Sequence, residues 1–366
     1  MLRNLTLLAV SFLVTCALME GVLRLFYAVP PTWVEPQTRH LKSPLLGWVL
    51  PPSSDSFTID APVRVNALGL RDRELEVPKP PGTKRVLCLG DSFTFALGVR
   101  LEDLYVKQLE RRLAGDPGGA HIEVINAGVA GYNTRQELIT LLTLGFSLEP
   151  DLVVVGFYWN DLVGNEDPLP DLEETPRIAS GEKLPSEEAR ASWIPAPIRD
   201  TLRKSVLLYL SVTGVKGLAA RLDPPTDPYS IVQQALLSGD DATLEPYWKA
   251  TETRLLEIAG AAKARGIPVI LLVFPSENEV RHDFPRLVFG ERLGKIWAAT
   301  GFPFLDLTAE YRASLRAGQN PFLPYDLHPN AVGMRIASDA LYGAIRARGY
   351  LGLGAPTPAA PAGVAP

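Results

Sequence analysis

Ser92 follows Gly90-Asp91 at the carboxyl end of the apolar run Arg85-Val-Leu-Cys-Leu89. A hydroxyl on a small turn after a strand is how α/β enzymes lift a serine nucleophile above a sheet edge. The bland alternative is a serine that merely caps the next helix. A nucleophilic serine needs a base, and the chain holds four histidines: His40, His121, His282 and His328. His40 falls in a proline-rich stretch and His121 just ahead of a predicted strand, which suits solvated loop roles. His282, after the fourth predicted strand, is a weak alternative. His328 stands in Asp326-Leu-His328-Pro-Asn330, just before a predicted helix. A neutral imidazole there can take the Ser92 proton while Asp326 holds its other nitrogen and stabilises the imidazolium. Without catalysis the same segment reads as a helix start with Asn330 as cap. Acyl transfer also builds negative charge on a carbonyl oxygen, and one well-aimed donor to it contributes about 3–4 kcal/mol. The Ser92 amide, the Gly131 amide and the Asn160 side chain are the natural candidates for that oxyanion hole. Gly131 closes Asn126-Ala-Gly-Val-Ala-Gly131, and lacking a Cβ it lets its backbone approach a ligand. As a phosphate loop this segment lacks the following Lys-Ser/Thr. Asn160 closes Phe157-Tyr-Trp-Asn160, and the turn beyond it is better capped by Asp161.

These residues need strands behind them. From residue 86 the chain alternates strand-like runs (86–89, 122–125, 152–155, 268–274 and 302–305) with helix-like ones (102–113, 136–144, 247–265 and 331–348). The run at 152–155 is continuously apolar and β-branched, as in a strand buried on both faces. Alternation of this kind predicts an α/β fold, a five-stranded parallel sheet with helices on both faces. Residues 165–246 form an insertion without an evident strand, Pro-rich and acidic at first and then apolar and helical over 206–222. It is either a lid or substrate wall, or a peripheral helical decoration. Residues 30–83 are a lead-in whose prolines (30, 31, 36, 44, 51 and 52) disfavour helix and suggest an extended tether or wrapping segment. Residues 349–366, rich in Ala, Pro and Gly, read as a disordered tail.

The chain has 366 residues, 46% of them hydrophobic and 21% charged, with a net charge of −5. No basic run supplies the electrostatic footprint of a nucleic-acid binder. Cys16 and Cys88 are the only cysteines. One lies in the N-terminal apolar segment and the other in a buried strand, so both read as free thiols. No His, Cys or carboxylate cluster has metal-ligand spacing, and neither metal nor organic cofactor is expected. Residues 5–19 are short for a span at ~1.5 Å per residue against ~30 Å of hydrocarbon. The apolar pattern resumes after Glu20, however, and Glu20 and Arg24, spaced i, i+4, can pair near the outer interface. Residues 1–29 therefore read as an uncleaved membrane anchor in preference to a removable signal segment. The export-like start places the remaining chain outside the cytoplasmic membrane; cleavage would make it secreted.

The four segments around Ser92, Gly131, Asn160 and His328 resemble, in order and spacing, the four blocks of the SGNH (GDSL-type) hydrolase superfamily, in its membrane-anchored bacterial form. The resemblance spans residues 84–348, apart from the insertion at 165–246. It implies a flavodoxin-like three-layer α/β/α sandwich of strand order 2-1-3-4-5, in which the first strand lies between the second and third and the donors meet at the switch point. It also implies Ser92 as nucleophile, His328 as base, and Gly131 and Asn160 in the oxyanion hole. Many members place the acid three residues before the His, where this chain has Tyr325. Asp326 stands two before it, so a triad and a Ser-His dyad are both open. Asn66-Ala-Leu-Gly-Leu-Arg71-Asp72 resembles a segment preceding the domain in membrane-anchored relatives, and packing across the sheet is its expected role. The expected activity is hydrolysis of short-chain or acetyl esters, small or glycan-borne, through an acyl-enzyme. An O-acyltransferase or O-deacetylase of cell-surface glycans would use the same residues, and a non-catalytic binding protein on this fold is a further alternative.

Overall fold

The computed structural model describes residues 2–29, 37–116, 121–170, 198, 201–222, 227–282, 289–324 and 326–354. Helix α1 (Leu2–Leu23) is followed by two antiparallel hairpins, β1 (Leu41–Ser43) with β2 (Gly47–Val49) and β3 (Ser54–Thr58) with β4 (Ala61–Val65). Over these residues the lead-in is folded, not extended. Its prolines fall where no ladder donor is needed: Pro44 in the first turn, Pro51 and Pro52 between the hairpins, and Pro62 in a two-stranded ribbon. Along β4 buried and exposed residues alternate, so Val63 and Val65 point inward. They join Leu45, Leu46, Val49 and Leu50 in one apolar cluster with Tyr132 and Ile139 of the following domain.

The main sheet starts with β5 (Lys84–Gly90), which leads into the one-turn helix α2 (Ser92–Phe95) and then α3 (Tyr105–Ala114). Next come β6 (Ile122–Asn126), α4 (Thr134–Thr143) and β7 (Leu152–Phe157). The insertion holds α5 (Val206–Leu222), α6 (Pro228–Ser238) and the start of α7 (Asp241–Lys263); its residues 171–197, 199–200 and 223–226 lie outside the described residues. The chain closes with β8 (Val269–Val273), α8 (Glu277–Arg281), α9 (Phe289–Ala298), β9 (Phe304–Asp306), α10 (Thr308–Arg316) and α11 (Ala331–Arg348). Of the expected tail, residues 355–366 are likewise outside the described residues.

The five strands are parallel in the order β6-β5-β7-β8-β9, the α/β architecture expected from the alternation. Side-chain period 2 divides the core. Leu87, Leu89, Val153, Val155, Val269 and Leu271 face one helical layer that includes Leu138 of α4, Leu255 of α7 and Trp297 of α9. Val86, Cys88, Val154, Ile270 and Leu272 face the other, with Leu109 of α3 and Leu341 of α11. Every residue of β7 and β8 is buried, which explains their unbroken apolar sequence.

Element boundaries shift by a few residues from the sequence expectation, most clearly at two helices. The helix expected from residue 102 begins as a 3-10 turn at Leu101–Asp103 and becomes α-helical at Tyr105. The helix expected from residue 247 begins at Asp241 and carries Pro246 inside it. Asp240 supplies the reason: its carboxylate accepts from the Thr243 amide (3.2 Å) and hydroxyl (2.7 Å), fixing a start upstream of the proline.

Candidate active site

Strand β5 lies between β6 and β7, with Cys88 opposite Asn126 and Gly90 opposite Gly156. The segments carrying Ser92, Gly131 and Asn160 thus all leave the carboxyl end of the sheet from adjacent strands. The chain turns sharply at Gly90, where φ is +153° and a Cβ would collide with the Thr94 side chain and lie 2.9 Å from the Gly156 carbonyl oxygen. Asp91 then caps α2, its carboxyl oxygen accepting from the Phe93 amide at 2.8 Å, which fixes Ser92 as the first helical residue.

His328 is brought to Ser92 by the turn ahead of α11. Asn330 caps that helix, accepting from the Val332 and Gly333 amides at 2.8 and 3.3 Å. The capping role thus belongs to Asn330, and the His328 ring is free to turn inward, 4.9 Å from the Phe93 ring. Its Nε2 stands 2.8 Å from Ser92 Oγ, and its Nδ1 makes a short hydrogen bond to Asp326 Oδ1. Asp326 Oδ1 also accepts from the His328 amide at 3.0 Å. The hydrogen bond from the ring holds the Asp326 carboxyl below its ordinary value. An ionised Asp326 requires the ring proton on Nδ1, which leaves the Nε2 lone pair to accept from the Ser92 hydroxyl. Asp91 Oδ2 competes for that proton from 3.3 Å, and the 2.8 Å contact to His328 is the stronger. His282, the alternative base, sits exposed at the end of α8.

The loop after β6 is fastened to the Ser92 turn. The Val129 amide donates to the Gly90 carbonyl (3.1 Å), and the Gly128 amide to the Asn126 side chain (3.0 Å). Gly131 has φ +81°, and a Cβ there would lie 3.2 Å from the Trp48 ring. That tryptophan, from β2, donates its indole N–H to the Ala130 carbonyl at 3.1 Å. Asn160 lies in a 3-10 turn, Trp159–Leu162, whose capping carboxylate is Asp161, accepting from the Tyr158 amide at 2.9 Å. Burial pushes the Asp91 carboxyl up, against the opposing pull of the Phe93 amide, Asn160, His328 and Ser92.

Sequence reasoning left two positions without their chemistry. The buried Arg71 guanidinium donates to three carbonyls at and just beyond the end of α2: Phe95 (2.5 Å), Ala96 (2.7 Å) and Val99 (2.6 Å). Asp72 accepts from the Asn126 amide (2.9 Å) and pairs with Lys107 (2.6 Å). The 66–72 segment therefore ties the Ser92 turn to the β6 loop, a more specific task than packing across the sheet. A pocket beside the site is lined by Tyr158, Trp159 and Leu327 from the core fold and by Gln233, Leu236 and Leu237 from α6 of the insertion. Among the described residues, no group of three or more His, Cys, Asp or Glu side chains is arranged to hold a metal ion.

This fold, with a serine on its first βα turn, is that of an SGNH hydrolase. Residues 88–336 match the GDSL-like Lipase/Acylhydrolase family, and the chain belongs to it; by class it is a hydrolase of ester bonds. No curated protein matches the sequence significantly. Among solved structures, a catalytic mutant of an acetylxylan esterase from Geobacillus stearothermophilus is 18% identical, with a TM-score of 0.44, covering 74% of this chain and 97% of that one. TesA is 17% identical with a TM-score of 0.41, covering 72% and 99%. The psychrotrophic esterase EstA from Pseudoalteromonas sp. is 15% identical with a TM-score of 0.39, covering 72% and 98%.

Proposed function

We propose that the protein is a membrane-anchored, extracytoplasmic serine esterase for short-chain esters, acetyl esters included. The observation that carries this reading is the hydrogen-bonded line from Ser92 Oγ through the His328 ring to Asp326. Ser92 Oγ attacks the ester carbonyl while its proton passes to His328 Nε2, and Asp326 stabilises the imidazolium. The Ser92 and Gly131 amides and one Asn160 amide hydrogen hold the oxyanion. His328 then protonates the leaving alcohol, and water, deprotonated by His328, releases the acid from the acyl-Ser92 ester. The pocket faced by Leu236, Leu237 and Leu327 is the proposed site of the acyl or alcohol group. Helix α1 has 22 residues, about 33 Å at ~1.5 Å per residue, enough to cross ~30 Å of hydrocarbon.

The test is hydrolysis of p-nitrophenyl acetate by the full-length protein, together with covalent labelling by a fluorophosphonate. Both are expected in the wild type. The Ser92→Ala protein should show no labelling and lose about 10³-fold or more in kcat, and His328→Ala should lose a comparable amount. Wild-type activity that survives Ser92→Ala would sink the assignment.

A further inference from the structure

The N-terminal helix is held to the folded chain by a built contact far away in sequence. The Glu20 carboxylate accepts from the Ser205 hydroxyl (2.8 Å) and from the Val206 and Leu207 amides (3.0 and 2.9 Å). These are the free donors at the first turn of α5, and a carboxylate is the group such a terminus favours. Arg24 pairs with Glu20 at 2.7 Å and donates to the Lys204 carbonyl at 2.7 Å. Helix α5 packs against α1 from this point, and Val206–Val215 contains no charged residue. Both helices leave apolar surface open: the membrane-length window of α1 is wholly unburied, and on α5, whose Val206 is buried, Val215 and Leu218 are 68% and 58% exposed.

We infer that α1 and α5 form one membrane-binding unit, in which Glu20 fixes α5 against the anchor and a lipid bilayer covers the apolar face that α5 leaves open. The occupant follows from continuity: the same bilayer that receives α1 meets α5 at the turn where Glu20 and Arg24 hold it. Depth follows from charge. The ten residues Val206–Val215 extend ~15 Å, half the hydrocarbon thickness. The chain then continues through Lys216 and Arg221, each costing about 2.5–3.5 kcal/mol at the bilayer centre. Helix α5 therefore lies in the interface and does not span. The consequence reaches the active site, because α6, the next helix after α5, supplies Gln233, Leu236 and Leu237 to the pocket beside Ser92.

This inference rests on the proposed anchoring by α1, and the experiment separates the two. The full-length protein is placed in phosphatidylethanolamine–phosphatidylglycerol vesicles, with an environment-sensitive fluorophore on Cys16 of α1. In a Cys16→Ala background the fluorophore is carried instead by Val215→Cys, Leu218→Cys, or Arg111→Cys on the exposed side of α3. Cys88 is buried, and burial pushes its thiol up to about 12, so it stays unlabelled. With nitroxide-bearing acyl chains in the vesicles, quenching of about twofold or more is expected at positions 16, 215 and 218, and none at 111. Adding Glu20→Ala should abolish quenching at 215 and 218 while sparing position 16; persistence there would overturn the clamp. Quenching at 16 without quenching at 215 and 218 overturns the inference and leaves the anchor standing. Protection of 215 and 218 from a water-soluble maleimide without quenching would assign the face to a second copy of the chain. No quenching at 16 overturns the anchor and the inference together. Fluorophosphonate labelling of Ser92 reports separately on the esterase reading.

Discussion

At the scale of single residues, the tautomer of His328 decides whether Ser92 has a base. Nε2 can accept from the Ser92 hydroxyl only while Nδ1 carries the hydrogen, and the ionised Asp326 carboxyl imposes that choice. Because its hydrogen bond to the ring holds Asp326 below the ordinary carboxylate value, it stays ionised throughout the range in which an imidazole titrates. Asparagine at this position presents an amide N–H to Nδ1 and reverses the tautomer. Asp326→Asn is therefore expected to lower kcat by about 10²–10⁴-fold, with little change in KM and a parallel slowing of fluorophosphonate labelling. A loss below about tenfold would show that His328 acts in a dyad. Tyr325, three residues before the His, lies outside the described residues.

At the scale of elements, a four-residue helix has no stability of its own, yet α2 must hold Ser92, the proposed nucleophile, still. It ends at Ala96, a non-glycine residue in the left-handed region with φ +64°, a conformation that costs about 1–3 kcal/mol unless its surroundings fix it. Arg71 fixes it by gathering the Phe95, Ala96 and Val99 carbonyls on one guanidinium. A buried carbonyl deprived of its donor costs about 1–3 kcal/mol. Arg71→Met should therefore destabilise the domain by about 3 kcal/mol or more in urea unfolding. In conditions where the variant is still folded, kcat should fall more than KM rises, because the loss lies in the placing of Ser92. An unchanged urea midpoint would remove Arg71 from this role. The same logic explains the first hairpin: Trp48 holds the Ala130 carbonyl and walls the backbone of Gly131, so part of the lead-in serves the site.

At the scale of the whole molecule, three carboxyls share the buried region behind Ser92. Asp91, Glu137 and Asp161 are all raised, in each case by burial first, with Asp91 adding to Glu137 and both adding to Asp161. Among the described residues neither Glu137 oxygen has a hydrogen-bond partner, so nothing stabilises its charged form. At Glu137 the native state therefore holds more proton than the unfolded state at any pH between the ordinary Glu value of 4.5 and the higher folded one. The contribution of this group to stability is full below the former and declines as pH rises toward the latter, by about 1.4 kcal/mol for each pH unit of that interval. Glu137→Gln cannot ionise. It should flatten the decline in denaturation midpoint between pH 5 and pH 8 and raise the midpoint at pH 8. A Glu137→Gln midpoint that tracks the wild type at both pH 5 and pH 8 would refute the account.

Periodicity over a few residues settled the strands and helices, since a run such as 152–155 can be apolar throughout only if both faces are covered. The order of motifs along the chain likewise indicated the Ser92–His328 line, although 236 positions separate the pair, because each motif carries its own local signature of strand end, turn and helix cap. What had no local signature came only with the tertiary structure. Arg71 finds its carbonyls 24 to 28 positions away, and Glu20 finds the first turn of α5 some 185 to 187 positions on. Glu137 sits on a helix as an ordinary acidic residue until that helix packs it beside Asp91 and Asp161. The cause is physical: helix and strand patterns arise from neighbours along the backbone. A buried charge is defined by whatever surface closes over it, and that surface exists only after the layers have packed.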